Sequence, residues 1–210
     1  MTTPSSVSTK NFNGVFVSDK QSSDSTDELL RLQGMSWYKR RAVSICNLTL
    51  SIKHYTDDDG VERIDVDQKL SGGFSGGSDN HILDCQERRC NDDVFGQLIY
   101  KTRRVSLELI EDEFLKTGWT EDALADGVIH TVAWSDPEDR HSSYTWKAEQ
   151  VYPMPADQLS LTSLSIQIWG FQLVDGERQH VRLTSLTSDK KDSPVRVRLV
   201  YKYCKSHPTC

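Results

Sequence analysis

The sequence contains no apolar run approaching the roughly 20 residues that a membrane-spanning helix needs, and its opening Met1-Thr2-Thr3-Pro4-Ser5-Ser6 lacks the apolar core of a secretory leader. These two absences predict an intracellular, cytoplasmic protein. Cys46, Cys85, Cys90, Cys204 and Cys210 form an odd set without a Cys-x-x-Cys spacing, which is a poor disulfide framework and a poor zinc site. The six histidines show no His-x-His or His-x-x-x-His spacing, so no metal is expected. Gly-x-Ser-x-Gly, Walker and dinucleotide fingerprints are also missing, because the glycine pairs at 72–73 and 76–77 follow a strand without opening a helix; no cofactor is expected. Positive charge is in deficit, with 25 Lys and Arg against 31 Asp and Glu and a net charge of −6. That balance disfavours a nucleic-acid backbone or an anionic membrane surface as the main partner. Arg88-Arg89 and Lys39-Arg40-Arg41 read as solvated faces, the latter able to steer an acidic ligand.

What is present fits one globular domain: 210 residues, 36% hydrophobic and 27% charged. Residues 1–10 are Ser/Thr-rich without periodicity and are expected as a disordered tail, followed by a single domain over 11–204 and a short tail over 205–210. Phe12, Gly14 and Phe16 alternate as a half-buried strand does. Ser25-Thr26-Asp27-Glu28 then opens a helix with Leu29 and Leu32 on one face, and a second short helix from Ser36 places Tyr38, Ala42 and Ile45 on one stripe. From Cys46 onward the period is two. Leu48, Leu50, Ile52 and His54 alternate with polar residues, Asp57-Asp58-Asp59-Gly60 signals a hairpin, and Ile64, Val66, Gln68 and Leu70 alternate in turn. Further strands are expected at 81–87, 95–109, 128–134, 144–152, 164–174, 177–187 and 195–203, with a bulge at the glycine pairs, a tight turn at Asp175-Gly176, and a helix or loop over 111–126. About ten strands behind one early helical pair predict a mainly β, closed antiparallel barrel with a helix-turn-helix lid.

The order strand, helix, helix, antiparallel meander resembles the cytosolic fatty-acid-binding proteins of the calycin group. Phe12-Asn13-Gly14-Val15-Phe16 resembles their N-terminal Phe-x-Gly-x-Trp, and residues 29–41 look like their lid. The chain is also similar to short fungal proteins with Leu-x-Leu-Gln-Gly-x-x-Trp, Ile-Trp-Gly-Phe and Val-Arg-Leu-Val-Tyr, which stand here at 30–37, 168–171 and 197–201. Those proteins look like companions of natural-product pathways. One departure from the fatty-acid-binding pattern is the Arg-x-Tyr carboxylate clamp on the last strand. Here Arg196 and Arg198 share a face with Lys202, while Tyr201 shares one with Val197, Leu199 and Tyr203. Because side chains alternate, Arg198 and Tyr201 cannot both point inward without a bulge, so a fatty acid is not the favoured ligand.

A barrel that holds a small, largely apolar molecule needs apolar walls and a few placed polar groups. The parity nominates Trp146, Trp169, Phe171, Leu199, Tyr201 and Tyr203 as ligand-binding residues, with Trp37 closing the mouth from the lid. Singly, each aromatic is better explained as core, and the case for a pocket rests on their number together with the fold. Tyr144, Gln150 and His130 are the candidate catalytic groups; His130 alternates with Val128, Val132 and Trp134, where a satisfied core histidine is the commoner explanation, and a neutral imidazole in a pocket can also move a proton. Asp84 and Glu87 fall on opposite parities and read as rim charges. Two functions fit. One is a non-catalytic carrier. The other, which the fungal resemblance favours, is a cofactor-free enzyme of secondary metabolism that folds a polyunsaturated substrate for cyclisation or isomerisation, for example of Diels–Alder type.

Overall fold

The period-two segments at 48–54 and 64–70 become β2 (Leu48–Thr56) and β3 (Glu62–Leu70), paired antiparallel from Thr56↔Glu62 to Leu48↔Leu70 across the aspartate-rich turn. The structure, a computed structural model, describes residues 2–72, 74–92, 96–135 and 163–204. Its other strands are β1 (Gly14–Ser18), β4 (Phe74–Ile82), β5 (Arg88–Asp92), β6 (Gly96–Val105), β7 (Val128–Ser135), β8 (Ser163–Val174), β9 (Glu177–Ser188) and β10 (Lys191–Cys204). All ten lie in one sheet of order β4-β3-β2-β1-β10-β9-β8-β7-β6-β5, an up-and-down meander rolled so that the first strand pairs with the last. Among the described residues no helix is long and apolar enough to cross a membrane.

Closure is less complete than expected, since β4 and β5 are the two unpaired ends of the sheet. The strand expected at 81–87 stops at Ile82 because Cys85 has φ 62°, a left-handed conformation that a strand does not accommodate. The seam is instead pinned at one end, where Asp84 bridges Arg103 and Cys85 N–H donates to the Thr102 carbonyl at 3.0 Å. The glycine pairs do accompany a register shift between β3 and β4 near Asp67 and Lys69.

Helices α1 (Asp27–Leu32) and α2 (Trp37–Ile45) form the lid, but only α1 is seated. Leu29 and Leu32 pack with Leu186, Val195 and Val197, whereas α2 has no buried residue and leaves Tyr38 and Ile45 exposed in spite of their shared stripe. Arg40 is not a solvated charge. It ties the two helices by donating to Asp27 at 2.9 Å and to the Met35 carbonyl at 2.8 Å.

The segment before Asn11, expected as a disordered tail, is packed. Val7 joins the cluster of Phe12 and Phe171, Thr3 N–H donates to the Arg178 carbonyl at 2.7 Å, and Arg178 donates to the Val7 carbonyl and pairs with Asp122. Its backbone is satisfied by side chains far along the chain, a signal that composition does not carry.

The sheet has a core on each face. Inside lie Phe12, Phe16, Leu50, Ile52, Ile64, Val66, Ile129, Trp169, Phe171 and Tyr201. Outside, residues between β6 and β7 form a 3-10 turn (Leu107–Leu109), α3 (Glu113–Lys116) and α4 (Glu121–Asp126), and their Leu107, Ile110, Leu115, Trp119 and Ala123 cover Val128, Ile168, Val181, Leu183 and Val200. Trp119 fits because its partner on β8 is Gly170: a Cβ there would stand 2.8 Å from the indole. The run Ile168-Trp169-Gly170-Phe171 therefore serves both faces, with Ile168 and Gly170 outside and Trp169 and Phe171 inside.

Candidate functional site

The two-residue turn between β8 and β9 has positive φ at both positions, 50° at Asp175 and 77° at Gly176, as a tight hairpin matched to strand twist requires. It fixes the register Val174↔Glu177, which places Phe171 opposite His180, Trp169 opposite Arg182 and Gln167 opposite Thr184. These six side chains form a ladder on the inner face. His180 Nδ1 bonds the Gly170 carbonyl at 3.1 Å, which leaves Nε2 as an acceptor for Arg182 Nε at 3.4 Å. The guanidinium carbon lies 3.8 Å from the Trp169 ring centroid and 5.6 Å from that of Tyr201. Trp169 Nε1 donates to Gln167, whose amide donates in turn to Thr184 Oγ at 3.1 Å.

Arg182 is only 6% exposed, no carboxylate pairs with it among the described residues, and its Nη2 has no hydrogen-bond partner there. Burial lowers its pKa from the ordinary arginine value, while Tyr201 and Asp79 act in the opposite sense; an arginine nonetheless remains charged at neutral pH. Burial, then the Arg182 charge, hold His180 well below the usual histidine range. Burial raises the Tyr201 phenol, and Arg182 offsets part of that rise. A second polar group enters from β4: His81 meets the Trp169 indole edge to face at 4.7 Å, its Nδ1 lies 3.3 Å from Thr102 Oγ, and Thr102 is 3.1 Å from Thr131 Oγ. His81 as a residue is half-buried, but its Nε2 is shut off from solvent and has no partner among the described residues.

Trp169, Phe171 and Tyr201 are buried on the inner face, and Leu199 and Tyr203 are partly buried beside them. Trp37 is not with them. It is 71% exposed on α2, because the lid seats through α1. His130 is a correction: it lies on the outer parity of β7, opposite Arg103 and Ile168, while Ile129 and Trp169 face inward. That face is buried as well, with Val128 and Ile168 beside His130 in the outer core, so the alternation reported burial and not the barrel interior. Burial first, and then Arg103, hold its pKa at about 4. Tyr144, Trp146 and Gln150 lie outside the described residues. Arg196 and Arg198 are on the outer face, bonded to Asp112 and Gln172 at 3.0 Å each. The missing clamp thus does not leave the interior without a cation, because Arg182 on β9 supplies one.

An open depression of ≈ 340 Å³ is lined by Lys10, His54, Tyr55, Thr56, Glu62 and Arg104, but its charges are already paired, Lys10 with Asp126 at 2.6 Å and the others with one another. His54 Nε2 lies 2.8 Å from Glu62, its Nδ1 accepts from Phe12 N–H at 3.1 Å, and Arg104 pairs with Glu62 and donates to the Thr9 carbonyl. Burial alone would raise the Glu62 carboxyl, yet the bonds and charges of His54 and Arg104 outweigh it and hold the pKa at about 2. A carboxyl depressed on folding contributes stability above its unfolded pKa, lost as pH falls through the folded one. Glu62→Gln is expected to cost about 2–3 kcal/mol at pH 7. Urea unfolding across pH 7 to 2 should show the gap between variant and wild type closing from about pH 4.5 downward.

The rolled ten-stranded meander with its helical lid defines a calycin-type barrel of the fatty-acid-binding-protein kind. The Schistosoma mansoni fatty acid binding protein in complex with arachidonic acid superposes with a TM-score of 0.52 over 92% of this chain and 96% of that one, at 13% identity, a likeness of fold alone. Among curated proteins, the chain is 26% identical over 206 residues to pericyclase pydY of Acremonium sp, covering 97% of each, and 21% identical over 204 residues to the probable pericyclase scpY of Mollisia scopiformis, covering 96% and 94%. No protein-family profile matches the chain.

Proposed function

We propose that this chain encloses a small, largely apolar metabolite bearing a conjugated carbonyl group and promotes its cyclisation by a pericyclic, Diels–Alder-type reaction that needs no cofactor. The observation that carries the reading is the buried guanidinium of Arg182, held 3.8 Å over the ring of Trp169 with a donor left over. A Diels–Alder step converts three π bonds into two new σ bonds and one new π bond, so it takes neither oxidant nor net proton. The barrel's contribution is to restrict the conformers of a flexible chain. Arg182 supplies the second effect: a donor on the carbonyl oxygen withdraws electron density from the attached alkene, and in an apolar surrounding that effect is stronger than in water. The full-length likeness to two fungal proteins named as pericyclases supports the same reading.

Purified chain should be incubated with a linear trienone, in which a diene is tethered to an alkene conjugated with a ketone, and product followed by chromatography and mass spectrometry. Many product molecules per protein, with one stereoisomer enriched over the thermal mixture, are expected. Tight binding of the trienone with release unchanged would leave the non-catalytic carrier as the function.

A further inference from the structure

The inner face holds two buried polar atoms that nothing among the described residues satisfies, Arg182 Nη2 and His81 Nε2, and both belong to side chains packed on the same indole, Trp169. A buried unpaired polar atom costs stability, and a site with two of them beside one aromatic plate is organised for a ligand that engages both. Their chemistries are complementary. Arg182 can only donate. His81 is uncharged at neutral pH, since burial, and then the Arg182 charge, hold its pKa at about 3. Nδ1 is engaged by Thr102, with Thr131 behind it; in the tautomer that donates its proton to Thr102 Oγ, Nε2 keeps a free lone pair. An oxyanion-stabilising donor and a neutral nitrogen base flanking one plate are the two parts that enolisation of a carbonyl compound requires.

We infer that His81 and Arg182 form a proton-transfer site that isomerises β,γ-unsaturated carbonyl compounds to their conjugated α,β-unsaturated forms. The inference rests on the reading of Arg182 as the group that holds the substrate carbonyl. In the first half, the α C–H bond breaks, its proton passes to His81 Nε2, and the electron pair becomes a dienolate whose oxygen is held by Arg182. In the second, the imidazolium returns the proton to the γ carbon, the double bond moves into conjugation, and both residues regain their starting states. No other reactant is consumed. Such a step creates the conjugated alkene that a carbonyl-activated cyclisation uses, so one site would prepare the substrate and then close it. The proton-moving histidine is thereby His81 on β4, which the alternation of β7 had suggested at His130.

The probe is allyl phenyl ketone, whose conversion to 1-phenylbut-2-en-1-one is read by ultraviolet absorbance, with NMR following deuterium introduced at its α carbon. The wild-type chain is expected to exceed the protein-free buffer by about a hundred-fold and to carry deuterium from the α to the γ carbon. His81→Phe keeps the edge contact to Trp169 and removes the base; it should lose about a hundred-fold in rate while calorimetric affinity for the product ketone stays within a few-fold. A wild-type rate no higher than the protein-free buffer overturns the inference, as does a His81→Phe rate equal to wild type, and the wild-type measurement stands even if a variant does not fold. Cyclisation of the trienone, already conjugated, by both proteins alongside absent isomerisation would remove this inference and keep the pericyclic reading. Isomerisation without cyclisation would do the reverse.

Discussion

Arg182→Met is expected to abolish conversion of the trienone and, at the same time, to raise the unfolding midpoint. In the wild type a charged guanidinium is 6% exposed, with one donor unpartnered and no carboxylate paired to it among the described residues. The stacking on Trp169 and the bond to His180 recover part of the desolvation cost, but replacement of buried charge by a side chain of similar length and apolar character is commonly stabilising by about 1–3 kcal/mol. The same change removes the donor that the proposed function sets against the carbonyl oxygen, and loss of one such donor typically lowers kcat by about a hundred- to a thousand-fold. Thermal unfolding by circular dichroism together with product formation tests both halves. A variant that is less stable and equally inactive would make Arg182 a structural residue. A more stable and fully active one would leave the interior cation without a role in the reaction.

Trp119→Ala should give the largest loss of stability of any single substitution on the outer face, about 3–5 kcal/mol. Trp119 is 8% exposed, its indole lies against Gly170, and its N–H donates to the Leu115 carbonyl at 2.8 Å. Truncation leaves a cavity that cannot refill from a strand position occupied by glycine, and it frees the segment that shields Val128, Ile168 and Val181. Urea unfolding measures the cost. Product yield per folded molecule with the trienone should be unchanged, because Trp119 and Trp169 face opposite sides of the sheet. A fall in yield as large as that of Arg182→Met would show that the two faces are not separable.

The architecture was legible because the two strongest signals, period-two alternation and turn chemistry, are local. The Asp57–Gly60 hairpin and the Asp175-Gly176 turn both stand where they were expected, and the parity of β10 correctly set Arg196 and Arg198 apart from Tyr201. Arg182 was within reach of the same logic. Once Trp169 is taken as inward and the two-residue turn fixes the hairpin, Arg182 is its direct neighbour across the strands. A charged residue on an apolar parity is easily passed over as surface. His130 misled for the opposite reason: alternation identifies a buried face, and in this sheet both faces are buried over β7 and β8. The seating of residues 2–10 and the break at Cys85 depend on partners more than 15 residues away, among them Arg178, Asp122 and Thr102, and no local pattern encodes those.

Two cores on one sheet also change what selection can alter. In a barrel whose only apolar filling is its lumen, every substitution that reshapes the lumen is a substitution in the core. Here β8 is fastened from outside by Ile168 against Val181 and Leu183 and by Trp119 seated on Gly170, so the wall keeps its shape while its inner surface is rewritten. Inward positions such as Gln167, Thr184 and Leu199 are therefore the natural places for a lineage of such barrels to diverge in the molecule it takes up, with the outward residues of the same strands held constant.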